Sequence, residues 1–348
     1  MMETKNFVLL SLILISIFLM FCKEYPPTVS DSGLNNKFDE DIIYVQNNNY
    51  YFRNVDKEIT QITNTNETIS SGVQFFGDGN RFVYVSYTRG SYKINEISLN
   101  HLQHRVIYES NSAIRNLRIS PNEDRIYFVK STTNYWTGSI FYFDLNSQQE
   151  IEVNPGPLYQ ALLFHDCERV FYTTSIPPDY RQRYILNFTT GDTTDHALVH
   201  LQFGLGSFVL SPDDNYLASK YNYDGVPSIG IYNTISKEYI HKDIDNDELI
   251  TIRFTDDSKR YYGVSVDLMA FEWNPSAVII DIETGKKTVL EMGGDVSNFN
   301  TLSYSEKSNK YLYSLNGDIK IYDLNTNKSY DFIVTDANEY AARFVNVK

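Results

Sequence analysis

Two histidine pairs, a run of alternating aspartates and one internal cysteine are the side chains here whose types best suit chemistry. His101 and His104 are three apart, and His196 and His200 four apart. A metal site needs converging ligands, with a third and fourth residue beside such a pair. Neither pair has these neighbours in sequence, so both read as solvated histidines. Asp243, Asp245 and Asp247 have the spacing that opens a calcium loop. They lack the glycine at the sixth position and the glutamate at the twelfth, and a solvated acidic loop between strands is the plainer reading. Cys167 has no His or Asp at a useful spacing and sits in a polar turn, which fits a small, partly buried residue rather than a nucleophile. No G-x-S-x-G elbow occurs: the stretch Gly225-Val226-Pro227-Ser228-Ile229-Gly230 fails at the first glycine. No Gly-rich phosphate loop occurs either. These residues predict no catalytic site, no metal and no cofactor.

A second group points to recognition rather than reaction. It comprises Tyr87, Arg89 and Tyr92; Tyr135 and Trp136; Tyr180, Arg181 and Arg183; Tyr221 and Tyr223; and Phe271 and Trp273, which include both tryptophans of the chain. Tyr, Trp and Arg are the types enriched at binding hot spots. They give large contact area with a polar tip. A third, weaker group is Arg118, Arg253 and Arg343. These could hold an anionic group, or pair with aspartates of neighbouring turns.

The elements that position these residues are repeats. Six segments share one phrase: VQFFGDGNRFVYVS, LRISPNEDRIYFVK, LLFHDCERVFYTT, FVLSPDDNYLASK, IRFTDDSKRYYGV and LSYSEKSNKYLYS. Each is an apolar run, a polar turn and a second apolar run. The second runs begin near Phe82, Ile126, Val170, Leu217, Tyr261 and Tyr311, at steps of 44, 44, 47, 44 and 50 residues. Further strand pairs follow, among them SIFYFDLNSQQEIEV and DIKIYDLNTNKSYDF. Four strands per repeat of this length is the unit of a β-propeller blade. The segment from Ile42 to Thr63 supplies three strands and lacks the first. The ending YAARFVNVK supplies a lone first strand, with Phe344, Val345 and Val347 reading as buried. The expected fold is therefore all-β, a seven-bladed β-propeller whose last blade is closed by N- and C-terminal strands.

This architecture gives the residue groups their places. The polar turns join the first and second strands of each blade, so the second-to-third-strand connections lie on the opposite face. In five successive blades these connections are long and carry the aromatic group. In the other two they shrink to Asn47-Asn48-Asn49 and Asn316-Gly317. The aromatics either form a partner-binding face or seal the strand ends between blades. The three arginines fall at one position of the first strands, which line the central channel.

The turns SPNED (Ser120–Asp124) and SPDDN (Ser211–Asn215), with FTDDSK and FGDGN as weaker copies, resemble the SPDG-type repeats of TolB-like and WD-repeat-like propellers. The resemblance spans about Asp41 to Lys348. It implies the fold and not an activity, because such propellers include transport partners, enzymes and scaffolds. The copies at His165–Glu168 and Ser305–Asn309 depart furthest from the motif.

The N-terminus implies export. Phe7–Phe21 is an apolar run of fifteen residues broken by two serines. That is about 22 Å of helix, short of a bilayer core of about 30 Å, and fits the h-region of a secretory signal. Cys22 at its end resembles the lipobox of bacterial lipoproteins, although Phe21 stands where a small residue is usual. Lipidation at Cys22 is the expectation; a cleaved signal without lipid, or a short anchor, are the alternatives. The expected division is residues 1–21 signal peptide, 22–40 tether and 41–348 propeller. With Cys22 acylated, Cys167 has no disulfide partner.

Net charge is −14, and no run of Lys and Arg occurs. Such a chain is a poor match for nucleic acid, where phosphate neutralisation carries the affinity. The chain after Cys22 suffices for one propeller and leaves no room for a hydrolase domain. The sequence thus predicts a non-enzymatic binding or scaffold module of the bacterial cell envelope, membrane-anchored on the periplasmic side or at the cell surface. Its partner would be a protein, peptide or glycan. The alternative is a propeller enzyme, lactonase-like or quinone-dependent, with its site at the channel mouth.

Overall fold

The computed structural model describes residues 40–70, 73–131, 137–173, 183–195, 208–223, 226–243, 247–249, 252–255, 257–267, 275–290, 302–333 and 339–345. For 154–157, 220–223, 226–228, 239–243, 247–249, 266, 267, 275, 302 and 339–341 it describes the backbone alone. All regular structure among these residues is β. The strands form six antiparallel sheets, five of them built from strands that follow one another in sequence. Arg81–Thr88, Ser91–Ser98 and Gln103–Ser110 show the pattern, laddering in order. The seven-stranded sheet continues through one long strand, Gln149–Leu163. Its first half pairs Thr137–Asp144 and its second half pairs Arg169–Thr173.

The chain ends meet in one sheet. Glu339–Phe344 pairs Ile42–Gln46, with Ile42 opposite Phe344 and Gln46 opposite Glu339. The Val345 N–H adds a bond of 2.9 Å to the Asp41 carbonyl. This is the closure expected from the sequence. Val347 lies outside the described residues.

Sheets stacked face to face explain why these strands read as nearly continuous apolar runs. All of Ile42–Gln46 is buried. Side chains alternate along a strand, so Ile42 and Tyr44 pack on Leu312, Ile321 and Phe332 of the preceding sheet. Ile43 and Val45 pack on Phe82, Tyr84 and Ile97 of the following one. Other core clusters also join neighbouring sheets, as where Tyr262 and Val264 meet Tyr311 and Tyr313, while the cluster of Tyr127, Val129, Leu163 and Val170 lies between the two halves of the seven-stranded sheet.

The recurrent polar phrase folds into one recurrent turn. Its first residue donates its N–H to the carbonyl five positions on: Phe76 to Arg81, Ser120 to Arg125, Phe164 to Arg169, Ser211 to Tyr216 and Thr255 to Arg260. The fourth residue donates back to the first and has positive φ: Gly79, Glu123, Cys167, Asp214 and Ser258, at 57–67°. Asp, Asn and Gly suit that conformation. The bond from Val345 to Asp41 is the same turn, divided between the two chain ends.

Consecutive turns are clasped to one another. The Glu123 carboxylate accepts the Gly77 N–H at 2.5 Å and Arg81 Nη2 at 3.1 Å. A Cβ at Gly77 would lie 2.8 Å from that carboxylate, which would have to shift to admit a larger residue. Asp214 accepts the N–H groups of His165 and Asp166 at 2.9 and 2.8 Å. Ser258 Oγ accepts the Asp213 N–H at 3.0 Å, and Ser305 Oγ donates to Glu40 at 2.5 Å. In each case a side chain from the later turn satisfies a donor of the earlier one.

Candidate binding surface

The face opposite these turns carries the second-to-third-strand connections. Two of them are tight: Asn47-Asn48 (φ 50° and 60°) and Asn316-Gly317 (54° and 89°). Positive φ at both central residues is the hairpin geometry that Asn-Gly sequences favour. The first aromatic connection has the same turn, Arg89-Gly90, at 45° and 89°. Its strands stay paired to the tip, where Thr88 faces Ser91. Tyr87, Arg89 and Tyr92 therefore stand on a laddered hairpin rather than a long loop. Tyr221 and Tyr223 lie on a similar hairpin, opposite Ser228 and Val226. The two-residue turn Arg89-Gly90 explains the difference in the first: the extra length went into strands.

Tyr87 and Tyr92 face each other, their ring centroids 4.6 Å apart and inclined by 41°. Tyr92 packs with Ile107 and Tyr108 onto the core of Val83, Val85, Ile94 and Phe128, sealing one sheet against the next. Tyr87 is 36% exposed and Arg89 is exposed at the tip. One tyrosine of this arm thus seals, and the other presents its ring to solvent.

Beneath the arm lies a polar network that sequence reasoning missed. Glu67 accepts Ser86 Oγ and Lys93 Nζ, each at 2.5 Å. Asn95 Nδ2 donates to Ser86 Oγ at 2.8 Å. His104 Nε2 is 3.1 Å from Asn95 Oδ1 and 3.2 Å from the Tyr84 hydroxyl. Ser86 and Asn95 are fully buried. Burial pushes the Glu67 carboxyl up, but bonds from Lys93 and Ser86 outweigh it and hold the group below its ordinary value. Burial lowers the His104 pKa. The His101–His104 spacing hinted at this cluster, but its partners come from three other segments. On the outer side of the same sheet, Arg81, Glu96, Ser98, Gln103, His104 and Arg105 line a groove of about 370 Å³. Arg105 pairs there with Glu96 at 2.8 Å.

Several expected residues lie outside the described residues: Cys22, Tyr135, Trp136, Tyr180, Arg181, His196, His200, Asp245, Phe271 and Trp273. The side chains of Tyr221, Tyr223, Asp243 and Asp247 do so as well. Arg183 is described and buried, its guanidinium 5.1 Å from the Phe208 ring centroid. Cys167 is buried in its turn, with Sγ 3.5 Å from the Ile119 carbonyl. Burial pushes its thiol up to about 12, away from thiolate chemistry.

Arg118, Arg253 and Arg343 do share one ladder position, opposite Tyr127, Tyr262 and Ile43. Each stands two residues before the turn. Arg118 and Arg253 each donate Nη1 to the preceding carbonyl, of Leu117 and Ile252, at 2.9 Å.

No protein-family model matches the chain, and no curated protein matches it. Solved structures do. TolB from Acinetobacter baumannii is similar with a TM-score of 0.55 at 14% identity, over 90% of this chain and 68% of that one. Oligogalacturonate lyase from Vibrio parahaemolyticus has a TM-score of 0.59 at 14% identity, over 76% and 79%. An uncharacterised protein from Listeria monocytogenes has a TM-score of 0.57 at 16% identity, over 86% and 92%. The likeness is one of fold, and the chain is a β-propeller.

Proposed function

We propose that this chain is an exported, lipid-anchored, seven-bladed propeller acting as a non-enzymatic binding or scaffold module of a bacterial cell envelope. The observation that carries the binding reading is the Tyr87–Arg89 tip, an exposed aromatic ring beside an exposed arginine on a fully laddered hairpin. Rigid aromatic anchors bind at low entropy cost. A protein, peptide or glycan partner would meet this face, together with Trp136 and Trp273 from other connections. Seven blades are supported by the sequence repeats and by the double use of Gln149–Leu163, which serves two four-strand units. Lipidation at Cys22, and with it the envelope location, rests on the apolar run that ends there.

Two experiments test this. Metabolic labelling with a fatty-acid analogue should mark the wild type and not Cys22→Ser; equal labelling sinks the anchor. Crosslinking on cells followed by pull-down should capture a partner that a Tyr87→Ala, Arg89→Ala variant loses. Capture that survives in that variant removes this tip from the binding face. The second reading, an enzyme at the channel mouth, draws support from the fold likeness to a lyase.

A further inference from the structure

We propose that the turn-side mouth of the central channel binds an oxyanion, a carboxylate or phosphate group, between Arg118, Arg253 and Arg343. The site is independent of the Tyr87 face, which lies at the opposite end of the sheets.

The placement comes from the fold. Innermost strands of a propeller surround one axis. The three arginines occupy the same rung of three such strands, opposite Tyr127, Tyr262 and Ile43. Equal rungs around an axis set their side chains at one level. In two of these strands the ladder shifts just before the arginine, between the partners Tyr127 and Val129 and between Ile43 and Val45. Such bulges re-aim the side chains that follow.

The charges are uncommitted. Among the described residues no carboxylate lies within 4.0 Å of any of the three. The bonds of Arg118 and Arg253 to their neighbouring carbonyls use one hydrogen of five. Arg118 Nε is buried without a hydrogen-bond partner. Burial pushes the Arg118 pKa down, the nearby Asp214 opposes this, and the charge of Arg343 adds to the downward push. Asp214 does not relieve Arg118 by pairing, because its own oxygens are held by His165 and Asp166.

Like charges gathered in a channel without partners are unfavourable. A bound oxyanion removes that repulsion. Its oxygens fit the planar guanidinium fork in a two-bond arrangement. Arg118 and Arg343 are half-buried and would hold the group; Arg253 is exposed and would sit at the rim.

Calorimetric titration of the protein with inorganic phosphate and with citrate, at fixed ionic strength in chloride, tests the site. A saturable heat and a rise in Tm are expected with at least one of them, and the better probe identifies the group. Arg118→Gln and Arg343→Gln should each weaken binding about tenfold or more, the loss of one charge-assisted bond. Arg118→Lys should fall between them and wild type. Without ligand, the Gln variants should melt at or above the wild-type temperature, because repulsion is relieved. Should either lower the yield of folded protein, Arg253→Gln, at an exposed position, still reports on the site by a smaller loss. Absence of saturable binding to both probes, or equal binding by all variants, overturns the proposal.

Discussion

Asp214 belongs to one turn and serves another: it accepts the backbone N–H of His165 at 2.9 Å and the His165 ring Nδ1–H at 2.7 Å. The two residues are far apart in sequence and occupy corresponding turns of consecutive repeats. A third bond, from the Asp166 N–H at 2.8 Å, completes the clasp.

Replacing Asp214 by Asn tests that clasp. Asn tolerates the positive φ of 63° at this position, so the change removes charge and one acceptor without straining the turn. The expected loss is about 1–3 kcal/mol, the cost of a buried donor left unmade, read from urea unfolding. The pH dependence has a definite sign. Burial pushes the Asp214 carboxyl up, but the His165 ring and the two N–H groups outweigh it and depress the pKa. The stabilisation is therefore complete above the ordinary aspartate value of about 4 and is lost as pH falls through the lower folded value. Wild type and Asp214→Asn should converge in stability in that acid range. Curves that stay parallel to low pH would exclude an ionised clasp.

Ending the chain before Glu339 should destabilise it by several kcal/mol. The deletion unpairs one edge of Ile42–Gln46 and removes Phe344 and Val345 from two clusters. Burying one such side chain is worth about 1.5–3 kcal/mol, and each orphaned backbone group costs about 1–3. Thermal unfolding of the truncated chain checks this; a melting temperature equal to wild type would make the closing strand dispensable.

Tyr87 and Tyr92 should separate binding from stability. Tyr92→Ala opens the seam against Ile107 and Tyr108 and should lower Tm measurably, costing less than the about 3–5 kcal/mol of a fully buried aromatic because Tyr92 is only half-buried. Tyr87→Ala removes an exposed ring and should leave Tm nearly unchanged while weakening partner binding by about 2 kcal/mol, the level of a hot spot. Trp136→Ala and Trp273→Ala should behave like Tyr87→Ala. If these tryptophan variants unfold readily, their rings are seals and the binding face is smaller.

What the sequence revealed was whatever repeats. Apolar runs at steps of 44–50 residues gave the strands, and the unmatched ends gave the pairing of Ile42 with Phe344. Asn47-Asn48 and Asn316-Gly317 were readable as tight turns because positive φ narrows residue choice. Residues 87–92 were read as a loop because a two-residue turn can be Arg-Gly as well as Asn-Gly, and tyrosines fit both strand and loop. The clasps were invisible for another reason. Glu123, Asp214 and Ser258 differ in type, and a turn rich in Asp and Ser explains itself locally before any partner in the next repeat is considered. Of the two readings of the channel arginines, pairing with turn aspartates meets one obstacle at Arg118, where the nearby Asp214 already accepts bonds from His165 and Asp166.

The network under the Tyr87 arm joins stability to recognition. Thr68 pairs with Tyr87 and Ile69 with Ser86, and Glu67, next to this short strand, holds Ser86 and Lys93. Losing Glu67 should therefore loosen the rung that carries Tyr87. Glu67→Gln and Lys93→Met should each cost about 1–2 kcal/mol, a bond to a charged group discounted for partial exposure. Because both act on one bond, their double variant should cost clearly less than the sum. The bond with Glu67 raises the Lys93 pKa above its ordinary value, so this part of the stability persists through neutral pH and is lost as pH rises through the raised value. Hydrogen exchange at the amides of Tyr87 and Thr88 should quicken in Glu67→Gln, and partner affinity should fall although no contact residue has changed. Unchanged exchange together with weakened binding would instead place Glu67 itself in the interface.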